Sequence, residues 1–284
     1  MIPRRKLGRT GVELSIVGLG GIVVSQLEQS IANSIVANAV ERGVNYFDVA
    51  PTYDNAEERL GPALEPFRDR VFLACKTIKR DRESAAAIID NSLKLLRTDR
   101  FDLYQLHCLQ SIKDIDQAVG PDGVMEAVEA AKCAGKIRFV GFSAHSVEAA
   151  LAAMARYPFD TILFPFNFVL FTQANFGPQV LAEANRRGLG GLALKAMAKS
   201  TWPATTDKAA RPNPKCWYLP CEIPEEAGLA LRWTLSKPIT AAIPPGDERY
   251  FPVAMDVAER FQPLNAEEEQ RLMERAVGAE PIMR

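Results

Sequence analysis

Histidine is almost missing from this chain, with His107 and His145 the only two in 284 residues. Cysteine is sparse as well. The five (Cys75, Cys108, Cys133, Cys216 and Cys221) are odd in number and scattered, and no C-x-x-C occurs. Cys216 and Cys221 are close in sequence, but neither histidine lies near them, so the spacing gives no metal or iron–sulfur site. Scattered thiols inside apolar runs suit a reducing, cytoplasmic compartment. Charge of one sign is lacking too: 34 basic residues face 35 acidic ones for a net charge of -1. No global field therefore favours nucleic acid or an anionic membrane. No apolar run reaches the length of a membrane span, and the opening MIPRRKLGRTG leads into no signal-peptide core, so neither insertion nor export is expected.

What the chain does have is a regular alternation. Short, nearly continuous apolar runs occur at 14–20, 45–50, 71–77, 101–107, 137–143, 161–167, 190–197 and 240–245. Continuous rather than alternating hydrophobicity is the mark of parallel strands covered on both faces. The intervening segments have helical spacing. Over 84–97, Ala85, Ile88, Ile89, Ser92, Leu93 and Leu96 line one helix face. ERGVNYF, CAGKIRF and NRRGLGG repeat one helix-to-strand junction, each placing a glycine (Gly43, Gly135, Gly188) at a left-handed C′ position. Asn265 and Glu268 predict the capped start of a closing helix over 265–276. Eight strands alternating with helices predict an α/β fold, a (β/α)8 TIM barrel forming one domain over 1–284. A doubly wound open sheet is the alternative, but GLGGIVVS lacks the third spaced glycine of its phosphate loop. The Pro-rich stretch 202–226 follows the seventh strand and reads as a long loop over one end of the barrel.

Active sites of such barrels lie at the C-terminal ends of the strands. There the second, third and fourth strands end in Asp48, Lys76 and His107, with Tyr53 in the loop after the second. Taken singly, a strand-end Asp is commonly a cap, a Lys is commonly solvated, and a His can be a satisfied core residue. An acid, a phenol, an amine and an imidazole converging on one mouth are a different matter.

GVNYFDVAPTYDNAEERLG, FLACKT, FDLYQLH and AGKIRFVGFS resemble, in order, the motifs of the aldo-keto reductases, and the likeness runs from RRKLGRTGVELSIVGLGG to ALRWTLSKPITAAIP. The resemblance implies reduction of an aldehyde or ketone by hydride from NAD(P)H, with a small-molecule carbonyl compound as partner. Tyr53 would be the general acid, Lys76 would lower the pKa of its phenol, Asp48 would hold Lys76, and His107 would orient the carbonyl. Gly21, Ser143, Leu163, Phe166, Lys195, Gly246, Arg249 and Asp256 would fall at cofactor positions. Ile22, Val23, Trp202, Trp217 and Tyr218 would line the substrate pocket.

The chain departs from the family pattern at both ends of the cofactor. Of the carboxamide-binding Ser, Asn and Gln, only Ser143 is kept; Ala144 and Leu163 replace the others, with His145 or Asn167 as possible substitutes, and Phe166 takes the ring-stacking position. Near the adenosine, Asp247 and Glu248 would repel a 2′-phosphate whereas Arg249 could clamp one, so NADP stands ahead of NAD only through the family. Lys199 is a further candidate for the pyrophosphate. Two rival functions remain: a cofactor-binding barrel with a regulatory role, and a Schiff-base aldolase using Lys76, which would need that lysine's pKa lowered.

Overall fold

The computed structural model describes residues 1–284, the side chain of Lys208 apart. The chain opens with an antiparallel hairpin of β1 (Arg4–Lys6) and β2 (Glu13–Ser15). A single parallel sheet follows: β3 (Leu19–Gly20), β4 (Tyr46–Asp48), β5 (Phe72–Thr77), β6 (Phe101–Leu109), β7 (Ile137–Ala144), β8 (Thr161–Pro165) and β9 (Gly190–Leu194). A second hairpin, β10 (Ala198–Ser200) with β11 (Leu219–Pro220), intervenes before β12 (Ala241–Ile243), which pairs with β9. The two outer strands meet through the segment just before β3. Val17 bridges Ala242 in parallel, with Gly18 N–H donating to Ala242 O (3.0 Å) and Ala242 N–H to Ile16 O (2.9 Å). The sheet is thereby an eight-stranded barrel.

Around it run α1 (Gln29–Glu41), α2 (Ala56–Leu64), α3 (Arg82–Leu95), α4 (Ile112–Val119), α5 (Val124–Cys133), α6 (Val147–Arg156), α7 (Phe168–Gln173), α8 (Pro178–Arg186), α9 (Pro224–Leu235), α10 (Tyr250–Glu259) and α11 (Ala266–Ala276). None is long and apolar enough to cross a membrane. α3 buries Ala85, Ile89, Ser92 and Leu93, the stripe that its spacing foretold. Gly43, Gly135 and Gly188 all adopt positive φ (98°, 75° and 72°), as the repeated junction requires. At α11, Asn265 and Glu268 form the reciprocal capping box.

The first apolar run is not one strand. Residues 13–15 belong to the N-terminal hairpin, and only Leu19–Gly20 join the barrel. That hairpin closes the barrel floor: Leu7 is fully buried and packs with Leu14, Tyr46, Phe72, Leu103, Leu163 and Leu192. Burial of side chains of this size contributes about 1.5–3 kcal/mol each. At the opposite, C-terminal end, the segment between β10 and α9 arches over the mouth, as expected of 202–226, but it ends where α9 begins at Pro224.

Candidate active site

Because strand side chains alternate in direction, each barrel strand sends every second residue inward. On β4 these are Tyr46 and Asp48, on β5 Phe72, Ala74 and Lys76, and on β6 Leu103, Gln105 and His107. The lower positions are apolar and join the floor core. The upper ones are polar, so one periodicity both fills the barrel and places its reactive groups at the mouth.

Asp48 and Lys76 form a direct ion pair with side chains only 3% and 1% exposed. Gln105 Nε2 donates to Asp48 Oδ2 at 2.9 Å, and Tyr46 OH donates to the same oxygen at 3.3 Å. Burial pulls the Lys76 pKa down, but the charge of Asp48 and the neighbouring Tyr53 more than reverse this and hold it above the usual lysine value. Lys76 Nζ lies 5.3 Å from the centroid of the Tyr53 ring, and His107 meets that ring edge-on at 5.9 Å. Asp48, Tyr53, Lys76 and His107 are thus brought together, all lining one cavity of ≈ 210 Å³.

One expectation about this group, that Lys76 lowers the Tyr53 pKa, needs revising. Burial raises the Tyr53 phenol above its ordinary pKa, with Lys76 only opposing the rise and Asp48 adding to it. The phenol is therefore fully protonated at neutral pH, not tuned towards it. Lys76, tied to Asp48, has none of the lowered pKa that a Schiff-base lysine needs. His107 is pushed down to about 2, first by burial and then by the charge of Lys76, so its imidazole is neutral. Its Nδ1 is buried without a hydrogen-bond partner among the described residues.

Ile22, Ser143, His145, Leu163, Lys195, Trp217, Tyr218 and Gly246 share the cavity wall. Ser143 Oγ accepts the Cys108 N–H at 2.8 Å, fixing the bulge in β6 where Cys108 adopts φ 60°. Leu163 forms part of the floor core. Gly246 leaves no room for a side chain, since a Cβ there would stand 1.7 Å from Ile22 Cγ2.

Several sequence-predicted positions lie elsewhere. Phe166 is fully buried outside the barrel wall, packed on Phe164 and Phe171, because the pleat that turns Leu163 inward turns its even-numbered neighbours outward. Ala144 is core, and Asn167 caps α7 while donating to Lys195 O at 3.2 Å. Gly21 packs against Val49, and the buried Val23 offers only its carbonyl, to Lys215 Nζ at 3.1 Å. Trp202 holds the covering segment by donating from Nε1 to Cys216 O at 2.9 Å. Arg249 is clamped by Asp247 (2.7 Å) and Asn213 Oδ1 (2.7 Å), and lines a separate groove with Tyr250. Asp256 sits on α10 in an exposed ion pair with Arg42, and Lys199 is paired with the buried Glu226.

Sequence reasoning missed Gln105 and Tyr46, the two neutral partners of Asp48. The signal was present: each lies two residues from a recognised site residue on the same strand and so faces the same way. It also missed the link from Cys108 Sγ to His145 Nδ1 (3.1 Å) and from His145 Nε2 to Lys195 Nζ (3.1 Å), which joins the ends of three strands, β6, β7 and β9, and which no local pattern announces.

The family model of the aldo/keto reductase family matches residues 16–221. Aldo-keto reductase YhdN of Bacillus subtilis is 31% identical over 177 residues, 56% of this chain and 52% of that protein. The uncharacterized oxidoreductase YrpG of the same organism is 27% identical over 280 residues, covering 83% and 84%. The chain matches only about half the length of several such curated relatives. Among solved structures, aldo-keto reductase AKR11C1 from Bacillus halodurans superposes with a TM-score of 0.74 at 23% identity over 99% of both chains, a likeness of fold. With that barrel, and a family match across most of its length, the chain belongs to the aldo/keto reductase family.

Proposed function

We propose that the protein is an NAD(P)H-dependent oxidoreductase that reduces an aldehyde or ketone to the alcohol. The observation that carries this reading is the buried Asp48–Lys76 pair beside the protonated Tyr53, with His107 lining the same cavity. Ser143 and His145 would hold a reduced nicotinamide, which would supply the hydride. Tyr53 donates its hydroxyl proton to the carbonyl oxygen as negative charge develops there. The Lys76 ammonium stabilises the phenolate that is left, and Asp48 keeps that ammonium charged and in place inside a low-dielectric wall. The neutral His107 fixes the carbonyl through one hydrogen bond without competing for the proton.

The residues present fit the cofactor unevenly. Ser143, His145 and Lys195 offer polar groups on the cavity wall, whereas Ala144 and Leu163 offer none. A 2′-phosphate would have to draw Arg249 away from Asp247, so the reading covers NADH and NADPH alike, with the family-based lead of NADP unsupported at this position.

The test is to titrate the protein with NADH and NADPH by fluorescence, and to follow reduced-nicotinamide absorbance with a panel of aldehydes and ketones, for wild type and Tyr53→Phe. The expected result is nucleotide binding by both proteins and a loss of turnover of roughly 10²–10⁴-fold in the variant. Binding without turnover of any carbonyl would favour a regulatory barrel. Absence of binding by either nucleotide would refute the proposal.

A further inference from the structure

Three cations line the cavity, and two of them come with carboxylates: Lys76 with Asp48 and Lys215 with Glu248. Lys195 is the exception. It is 8% exposed, lines the cavity, and meets no carboxylate among the described residues. Its Nζ has His145 Nε2 at 3.1 Å and the Trp217 ring centroid at 5.3 Å. His145 is held neutral, its pKa driven down to about 3 by burial and then by Lys195 itself, so it supplies a dipole and not a counter-charge. Burial lowers the Lys195 pKa to about 7, opposed in part by Cys108 and assisted to a lesser degree by Lys76.

The position is nevertheless firmly built. Lys195 adopts φ 62°, a left-handed backbone that a non-glycine residue seldom takes, and its carbonyl is held by Asn167 Nδ2 (3.2 Å) and by Ala198 N–H (3.0 Å). Strain maintained by surrounding bonds, around a buried cation lacking a counter-ion in a ligand-sized space, suits a counter-ion that arrives with the ligand. The imidazole fixes the direction of the ammonium and the exposed indole of Trp217 screens it from the solvent side. Tyr53 and His107 line the same cavity, so one small molecule can present a carbonyl to them and an anionic group to Lys195.

We propose that Lys195 anchors a carboxylate or phosphate carried by the carbonyl substrate, so that the enzyme's substrates are anionic aldehydes or ketones such as oxo acids. This rests on the reductase reading and deepens it by naming the substrate class. The other source of such an anion is the cofactor's own diphosphate.

The probes that separate these are 4-oxobutanoate and its methyl ester, which share one carbonyl and differ in charge. Their kcat/KM would be measured with NADH and NADPH in wild type, Lys195→Gln and Lys195→Arg, together with nucleotide affinity. The expected result is a wild-type preference for the acid of at least tenfold, carried by KM. That preference collapses in Lys195→Gln and returns in part in Lys195→Arg. A wild-type ratio near one overturns the proposal, and needs no variant to fold. An unchanged ratio in Lys195→Gln, with weakened nucleotide binding, also overturns it and assigns the ammonium to the cofactor. Should neither probe nor any other carbonyl of the panel be reduced although the nucleotide binds, the reductase reading fails separately. Quenching of tryptophan fluorescence by the acid but not the ester would then still support the anion site, and equal quenching or none would refute it.

Discussion

Replacing Lys76 with methionine would leave the Asp48 carboxylate almost completely buried, with only the neutral donors Gln105 and Tyr46 to satisfy it. Removing one partner of a buried ion pair destabilises by about 3–5 kcal/mol, chiefly because the remaining charge is uncompensated. Asp48→Asn should cost a similar amount, since it strands the Lys76 ammonium. The double variant has no net charge to bury, and the asparagine oxygen can still accept from Gln105 and Tyr46. It should therefore be far less damaged than the two single losses summed, with a coupling of at least ~3 kcal/mol. Urea unfolding of the four proteins, followed by far-ultraviolet circular dichroism at pH 7, measures that coupling directly. Losses that simply add would refute the argument, because they would mean that each group is stabilised independently of the other.

Both histidines have folded-state pKa values depressed from 6.5, to about 2 and about 3. Their stabilising contribution is present above pH 6.5 and is lost as the pH falls and the unfolded chain takes up protons first. Stability should drop between pH 6.5 and 5 by about 1.4 kcal/mol per pH unit for each histidine, and His145→Gln should halve the slope of the urea midpoint against pH. Gly246→Ala drives a methyl group into Ile22, so it should cost about 1–3 kcal/mol and weaken ligand binding; Gly246→Ala/Ile22→Ala should recover most of the loss in the same unfolding and fluorescence assays. Asp247→Asn removes the charge that occupies Arg249, and the ratio of NADPH to NADH affinity should rise severalfold by fluorescence titration; an unaltered ratio would show that Arg249 does not face the 2′ position.

The barrel was legible because its strands are buried on both faces and are separated by a repeated glycine junction. The same double burial hid the break within 14–20. A residue packed in the floor hairpin and one packed in the barrel wall are equally apolar, and no period distinguishes them. The convergence of Asp48, Tyr53, Lys76 and His107 on one cavity could be read because strand ends and one short loop fix them in relation to one another. Phe166 could not, since the pleat of β8 decides its side and the run 161–167 is apolar throughout; Trp202, Arg249 and Asp256 could not, since each lies beyond an irregular segment in which a shift of one or two residues moves a side chain from mouth to exterior. The pairing of Arg249 with Asp247 illustrates the point: the same two residues, read as a string, offered both a clamp and a repulsion. Lys195 fell at the cavity as expected, but the lack of a carboxylate near it is a property of three dimensions.

The seam between Val17 and Ala242 has a consequence for synthesis on the ribosome. Its two sides are separated by nearly the whole barrel, so closure can come only after the last strand has emerged. Until then β3 and the newest strand present unpaired edges, which are templates for association with other chains. Contacts between such distant segments also form slowly. The nascent chain is consequently most vulnerable when the strands β4 to β6 are already assembled but the ring is still open, and substitutions at the seam should reduce the yield of folded protein more than they change the properties of the molecules that succeed.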